Sequence, residues 1–388
     1  MANILVLTRG TGGDLFPLLE IGSLLKARGH AVIFITQSNF EESVRAAGFG
    51  FILLERPDQS DEQDESEPAW QALLSITPER AERFIVDAIS TIRTMEEQHH
   101  SGATVVVSQS SLMLIGQTAA ERLRVPHIPV FTAPYFIKTL ECIAHSYNTL
   151  SSSANTIRAE FGLTPVQDWS AWLRTSRHSI GLWPEWFAPD AVGLGMVPVG
   201  FVASTRIETG EVPDEIREKL SSCKLPVLIT HGTSRPAKAQ FFSASTEACS
   251  ISHVEPIVIT QHDELLSKDS ANATIWFKHL PFATLMPSMA AVIHHGGIGT
   301  AARALASGTP QLVLPFGYDR PDNGTRIRRL GVGDCLPPSR WQPSTIADSL
   351  RQLMESPAVR ERCTDFRHRM NSERSSARAC DVIELALQ

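Results

Sequence analysis

A repeated strand-then-helix rhythm is the feature that most limits the folds open to this chain. In the N-terminal half the predicted strands are Asn3–Leu7, Ala31–Thr36, Thr104–Ser108 and His127–Phe131, and the predicted helices are Phe16–Arg28 and Leu112–Leu123. Apolar strand patterns that alternate with helical patterns are typical of parallel α/β sheets. The sequence therefore predicts the α/β class.

The rhythm restarts after a polar, proline-bearing segment, Ser204–Pro213. The later predicted strands are Pro226–Thr230, Pro256–Thr260, Thr274–Phe277, Ala291–Ile293 and Gln311–Pro315. We therefore predict an N-terminal Rossmann-like domain (1–205), a linker (206–222), a C-terminal Rossmann-like domain (223–370) and a last helix (371–388) that packs back on the first domain. The two domains are expected to face each other across a cleft, with ligands at the carboxyl ends of the strands.

Charge, cysteine spacing and hydropathy exclude several classes of protein. A net charge of −7 argues against nucleic acid as a partner. Six cysteines without a CxxC pair indicate neither a zinc site nor a disulfide framework, so we expect a cytoplasmic protein. No apolar run reaches the length of a membrane span, so any membrane contact is expected to be peripheral. The acidic stretch Asp58–Glu67 is predicted to be a loop.

The segment Ala291–Gly299, AVIHHGGIG, combines a buried strand, a histidine, a glycine-rich turn and the start of a helix predicted over Thr300–Ala306. Free backbone N–H groups and the positive end of a helix dipole make such a helix start an anion site. The turn lacks the GK[ST] of a Walker loop and the GxGxxG of a dinucleotide fingerprint. We therefore expect a diphosphate held by His295 and backbone amides.

Three segments, HHGGIGT, LPFGYDRPDN and GTGGDLFP, resemble the GT-B enzymes of glycosyltransferase family 1. The resemblance runs through nearly the whole chain and implies the GT-B architecture. It also implies inverting, metal-independent transfer of a sugar from a nucleotide diphosphate to a small lipophilic acceptor, with the nucleotide sugar as co-substrate and no cofactor. The segments WPEWFAP and VVVSQSSLML and the GGIG turn look most like the rhamnosyltransferases of rhamnolipid synthesis.

The resemblance also implies a set of donor contacts. His295 is implied to bind the diphosphate with Thr300 at the helix start, although a histidine at a strand end is often structural and Thr300 also suits a plain helix N-cap. The full donor set is Gly12, Gly13, Gly232, Thr233, His279, Leu280, His295, Gly296, Gly297, Gly299, Thr300, Asp319, Arg320 and Asn323.

The chain departs from the family pattern at three donor positions. His279 stands where the family places a larger aromatic residue under the base, and Arg303 stands where it places a glutamate that binds ribose. Arg320, after Asp319, replaces a glutamine at the sugar end. These departures leave the donor open between a UDP-hexose and a dTDP-deoxyhexose.

Asp14, in GTGGDLFP directly after the first predicted strand, is our candidate general base. The resemblance implies this role because bacterial members of the family often carry aspartate here. An aspartate in a glycine turn before a helix is also a common N-cap. The chain contains no DxD pair to hold manganese or magnesium, so no metal site is predicted.

The acceptor side is predicted from aromatic residues of the N-terminal half. Phe136, Trp183 and Trp186 are candidates to line an apolar pocket, and core packing is the alternative for each. We expect a lipid, polyketide, terpenoid or phenolic acceptor. Two rival hypotheses remain open at this point, a nucleotide-sugar epimerase and a non-catalytic GT-B partner protein.

Overall fold

Two parallel sheets organise the chain, one in each of two structural units. The computed structural model describes residues 1–54, 78–100, 103–193, 195–203, 212, 214, 217–218, 225–232, 239–260, 275–278, 280–370 and 372–388. The first unit comprises Met1–Val202 and Ser372–Gln388, and the second comprises Ala203–Asn371.

The first unit carries a seven-stranded parallel sheet in the order β3-β2-β1-β4-β5-β6-β7. Its strands are β1 (Asn3–Leu7), β2 (Ala31–Thr36), β3 (Gly50–Leu53), β4 (Thr104–Gln109), β5 (His127–Phe131), β6 (Ser179–Gly181) and β7 (Met196–Pro198). Its helices before the second unit are α1 (Gly12–Ala27), α2 (Glu41–Ala46), α3 (Pro78–Glu97), α4 (Met113–Leu123), α5 (Tyr135–Lys138), α6 (Leu140–Thr149), α7 (Ser151–Glu160) and α8 (Trp169–Leu173).

The second unit carries a six-stranded parallel sheet in the order β10-β9-β8-β11-β12-β13. Its strands are β8 (Pro226–Thr230), β9 (Glu255–Ile259), β10 (Ile275–Phe277), β11 (Ala291–His294), β12 (Gln311–Val313) and β13 (Gly333–Cys335). Its helices are α9 (Ala239–Ile251), α10 (Phe282–Leu285), α11 (Ile298–Ser307), α12 (Arg320–Leu330), α13 (Pro343–Glu355) and α14 (Pro357–Arg369). The prediction of two Rossmann-like α/β domains is confirmed.

In both sheets the strand order reverses next to the first strand of the unit. The reversal lies between β1 and β4 in the first sheet and between β8 and β11 in the second. Ligands of open α/β sheets bind outside the carboxyl ends of the strands at such a reversal. The segments that follow β1, β4, β8 and β11 are therefore the places to look for a site.

The last helix, α15 (Ser372–Leu385), belongs to the first unit. Its buried residues Ala379, Cys380 and Ile383 join the apolar core formed by β1 and α1. Arg28, at the end of α1, donates to Asp381 at 2.7 Å and to Glu384 at 2.6 Å. Apolar burial and ion pairs together hold this C-terminal segment on α1. Within the described residues, the structure has no helix with the length and apolar character needed to cross a bilayer.

Several element bounds differ from the sequence predictions. The helix α1 begins at Gly12 rather than Phe16, because Thr11 occupies the N-cap position and the Asp14 carboxylate accepts its backbone N–H at 2.9 Å. In the second unit, α11 begins at Ile298 rather than Thr300, and β12 ends at Val313 rather than Pro315. The acidic stretch Asp58–Glu67 and most of the predicted linker lie outside the described residues.

Candidate functional site

His294, the last residue of β11, supports the turn that follows it. Its Nδ1 accepts a hydrogen bond from the Gly296 backbone N–H at 3.2 Å, so its Nε2 carries the hydrogen and donates to Gln311 Oε1 at 3.1 Å. Burial lowers the pKa of His294 to about 4, which keeps the ring neutral at neutral pH. His294 therefore acts as a structural support for the glycine turn.

This buried histidine predicts a pH dependence of stability. The folded ring titrates near pH 4 and an unfolded one near 6.5, so unfolding takes up a proton between these values. We expect the free energy of unfolding to be fully present above pH 6.5 and to fall as the pH drops towards 4, by about 3 kcal/mol for this residue. Urea unfolding across this range measures the loss.

His294→Asn is the matched variant for that measurement, because its amide oxygen can accept the Gly296 N–H but does not titrate in this range. Its free energy of unfolding should fall less steeply with acid than that of the wild type. His127, a buried histidine of the first unit whose pKa burial lowers to about 3, contributes equally to both proteins. Identical slopes would contradict the assignment to His294.

The His295 imidazole lies between two glycines. A Cβ atom on Gly232 would come within 2.6 Å of its Cε1, and one on Gly297 within 2.5 Å of its Nε2. The ring of His231 stacks on it, with centroids 5.0 Å apart. These contacts explain why glycine stands on both sides, since any larger residue would displace the imidazole.

His295 is only 5% exposed, and among the described residues its Nδ1 has no hydrogen-bond partner. Burial lowers the pKa of His295 well below 6.5, and the charge of Arg320 and the neighbouring rings of His231 and His294 act in the same direction. A buried polar atom without a partner is costly and is typical of a site whose ligand completes it. A neutral imidazole can donate one N–H, and an anion nearby would favour its protonation.

The helix α11 begins directly beside this ring. Gly297 is its N-cap, and the first bond within the helix runs from the Ala301 N–H to the Gly297 carbonyl at 3.0 Å. The N–H groups of Ile298, Gly299 and Thr300 therefore have no carbonyl within the helix to bind. Together with the helix dipole, they form an anion-binding end next to His295.

The N-cap and first turn of α12 carry the predicted sugar-end residues. Asp319 is half-buried, and burial raises the pKa of its carboxyl group. Arg320 is buried and donates to the Phe316 carbonyl at 2.8 Å. Asn323 has no exposed surface, and its amide donates to Asp319 Oδ2 at 2.7 Å and to the Gly296 carbonyl at 3.0 Å. Asn323 thus positions Asp319 and the glycine turn, and among the described residues its Oδ1 has no hydrogen-bond partner. Its contact with the donor stays a prediction.

The remaining donor candidates are only partly described. Thr233 and His279 lie outside the described residues. Leu280 is buried and its side chain packs in the apolar core of the second unit, so a donor contact of this residue stays a prediction. Arg303 donates to the Gly299 carbonyl at 3.2 Å, which bends its guanidinium back towards the first turn of α11.

Asp14 lies in the first turn of α1, at the carboxyl end of β1. Its Oδ2 accepts from the Thr11 backbone N–H at 2.9 Å and from the Thr11 hydroxyl at 3.2 Å. Its Oδ1 accepts from Gln109 Nε2 at 2.6 Å and from the Thr132 hydroxyl at 3.4 Å. The carboxylate is thus both the helix cap that the local sequence favours and a half-exposed acid oriented by two neighbouring strands.

The two glycines before Asp14 differ in their surroundings. A Cβ atom on Gly12 would come within 2.3 Å of the Phe16 ring, so this position is closed by packing. A Cβ atom on Gly13 would meet no atom nearer than the Thr11 hydroxyl at 3.5 Å. Gly13 is exposed and leaves the backbone beside Asp14 open.

The acceptor candidates divide by burial. Phe136 is half-buried and meets Tyr135 edge to face, and Trp186 is half-buried with edge contacts to Phe187 and Phe201. Trp183 has 0% exposure and packs over Gly181. A ring without exposed surface favours the core-packing alternative for Trp183, and an acceptor contact of Trp183 stays a prediction.

Sequence reasoning missed four residues around the two predicted groups: Gln109, Thr132, His231 and His294. Each is a polar residue at, or directly after, the carboxyl end of a predicted strand, which is the signal that could have found them. In the described part of the chain, no three His, Cys, Asp or Glu side chains are grouped to hold a metal ion. Metal independence stays a prediction.

Comparison with known proteins finds two matching family models. The "Erythromycin biosynthesis protein CIII-like, C-terminal domain" matches residues 250–385, and the "Glycosyltransferase family 28 N-terminal domain" matches residues 4–141. Among curated proteins, the chain is 25% identical to O-mycaminosyltylonolide 6-deoxyallosyltransferase of Streptomyces fradiae, over 98% of this chain and 96% of that protein.

Two solved structures share the fold over nearly the full length. The glycotransferase of kitacinnamycin superimposes with a TM-score of 0.79 at 19% identity, covering 100% of this chain and 99% of that one. The spinosyn rhamnosyltransferase complexed with thymidine diphosphate gives a TM-score of 0.71 at 20% identity, covering 97% and 96%.

Proposed function

We propose that this chain, a glycosyltransferase with the GT-B fold, transfers a deoxysugar from a thymidine diphosphate donor to a hydroxyl group of a small lipophilic natural product. The observation that carries the donor side is the His295 ring, held between Gly232 and Gly297 beside the open N–H groups of α11. Such a group suits two adjacent phosphates, because an imidazole and several amides converge on one place.

The reaction proposed is a single displacement with inversion. The acceptor oxygen attacks the anomeric carbon of the donor sugar, its proton passes to the Asp14 carboxylate, and the bond from the anomeric carbon to the diphosphate oxygen breaks. Negative charge then grows on the leaving diphosphate. His295 and the first-turn amides of α11 are proposed to stabilise this charge, which would make a metal ion unnecessary.

The donor proposal draws on the names of the relatives. The Streptomyces fradiae protein is named for a 6-deoxy sugar, and the spinosyn enzyme for rhamnose, with thymidine diphosphate in its complex. The family pattern that predicts a glucose donor has a glutamine at the position where this chain has Arg320. This difference also favours a donor sugar other than glucose. The half-buried aromatic rings of Phe136 and Trp186 support a lipophilic acceptor.

A thermal-shift panel tests the donor proposal, because a ligand that binds only the folded state raises the melting temperature according to its affinity. We expect dTDP-rhamnose to raise the melting temperature more than UDP-glucose at equal concentration. The reverse order would favour a UDP-hexose donor, and no shift with any nucleotide diphosphate sugar would contradict the proposed site. Transfer assays with and without EDTA then test metal independence, and incubation with donor alone tests for epimerisation.

A further inference from the structure

Gln109, the last residue of β4, links the end of β1 to Asp14. Its side chain is 5% exposed. Its Oε1 accepts from the Arg9 backbone N–H at 3.0 Å and from the Thr8 hydroxyl at 3.4 Å, while its Nε2 donates to Asp14 Oδ1 at 2.6 Å. One side-chain amide thus contacts both the strand end and the candidate base.

These contacts determine which way the amide faces. The Arg9 N–H can only donate, so it requires the oxygen of Gln109 on the β1 side. A flipped amide would set its NH₂ group against that N–H and its oxygen against the Asp14 carboxylate. The backbone at the end of β1 therefore directs the Gln109 N–H groups at Asp14.

We propose that Gln109 is a positioning residue for the transfer reaction: it holds the Asp14 carboxylate in one orientation at the carboxyl ends of β1 and β4. This inference rests on the proposed role of Asp14 as general base. Thr11 holds Oδ2 within the α1 cap, and Gln109, with Thr132, holds Oδ1 from the neighbouring strands. Of the two hydrogen bonds to Oδ1, the shorter one is lost without Gln109, and the 3.4 Å bond from the Thr132 hydroxyl remains.

Amide chemistry is what this position requires. The neutral N–H donor of Gln109 favours a negatively charged carboxylate beside it. A glutamate would satisfy Arg9 and Thr8 equally well but would place a second carboxylate against Asp14, and two carboxylates at this distance cannot both ionise readily. Gln109→Glu therefore changes the chemistry while nearly preserving the shape.

The test compares Gln109→Glu and Gln109→Met with the wild type. For Gln109→Glu we expect the acidic limb of the kcat profile to move to higher pH by about two units, with transfer recovering as the pH rises. For Gln109→Met, which keeps the volume but not the hydrogen bond, we expect kcat to fall by about 10- to 100-fold with little change in the KM of the donor. If Gln109 had only a structural role, its replacement would not move the acidic limb of the pH profile. It would also not lower kcat selectively while leaving the KM of the donor unchanged.

A second measurement does not depend on activity. Carbon-13 spectra of protein labelled at aspartate carboxyl groups, with Asp14 assigned from Asp14→Asn, follow the protonation of this one group with pH. Its midpoint should move upward in Gln109→Glu. Thr11, Gln109 and Thr132 are neutral neighbours, and Arg9, the charged residue at the end of β1, is the same in every protein compared.

Gln117→Met is the matched control, since Gln117 is another buried glutamine of the first unit and donates to the Trp172 carbonyl. It should leave the pH profile unchanged. An unchanged Asp14 midpoint in Gln109→Glu, or wild-type kcat in a stably folded Gln109→Met, would overturn the inference. If Asp14→Ala retained full turnover, the proposed base would fail instead, while the spectra would still report whether Gln109 and Asp14 are coupled.

Discussion

Asp14→Ala should reduce sugar transfer by about 10²- to 10⁴-fold, the contribution typical of a general base. The variant should keep most of its donor affinity, because the diphosphate contacts are assigned to His295 and the first turn of α11 in the second unit. Removing the capping carboxylate should also cost about 1 kcal/mol of stability. Steady-state transfer rates, donor titration and thermal unfolding of the purified variant measure the three quantities separately.

Asp168→Ala provides the control for the lost cap. Asp168 is the N-cap of α8 in the same unit, and it accepts the Ala171 N–H at 2.9 Å. Its replacement should lower stability by a similar amount and leave transfer unchanged. Wild-type turnover by Asp14→Ala would mean that Asp14 is a helix cap and nothing more.

His295→Ala should lower kcat by about 10²- to 10³-fold, since a lost donor to developing charge typically costs this much. Donor binding should weaken as well, because the ring is proposed to meet the diphosphate in the ground state too. Single-turnover rates and calorimetric titration with the nucleoside diphosphate separate the two effects. Unchanged affinity together with unchanged kcat would remove His295 from the site.

Gly297→Ala offers a milder test of the same ring. Its φ of −61° suits any residue, so alanine adds no backbone strain, but its Cβ would come within 2.5 Å of His295 Nε2. We expect a loss of about 10-fold or more in kcat from a displaced but intact imidazole. His253→Asn is the control, at an exposed residue of the second unit with a φ of 54°. Asparagine tolerates this left-handed conformation, so the variant should behave as the wild type.

Strand positions followed directly from the sequence because apolar runs bounded by turn residues are local signals. The bounds of β1, β2, β5 and β8 agree with the predictions. The predicted first residues of the helices were less accurate. The sequence of Gly12 and Gly13 predicts a turn, whereas the bonds from the Asp14 and Leu15 N–H groups to the Thr11 carbonyl, with the Asp14 carboxylate capping the Thr11 N–H, include both glycines in α1. A cap of this kind depends on side-chain geometry that residue spacing alone leaves undecided.

Local patterns also predicted the anion-binding turn, because a strand, a glycine turn and a helix start are consecutive in the chain. The residues that complete each site are distant in sequence. Gln109 lies 95 residues from Asp14 and Thr132 lies 118 residues from it, and they meet only because β1, β4 and β5 are adjacent in the sheet. Likewise, His231 reaches His295 because Thr230 and His294 pair in register.

The sequence by itself determined two parallel α/β units and predicted Asp14 and His295 as the candidate base and diphosphate contact. The tertiary structure alone decided which neighbours orient them, and it showed that Asn323 and Trp183 have no exposed surface. The physical reason is the range of the interactions. Strand and helix patterns arise between residues close in the chain, whereas strand order and side-chain burial depend on the packing of the whole sheet.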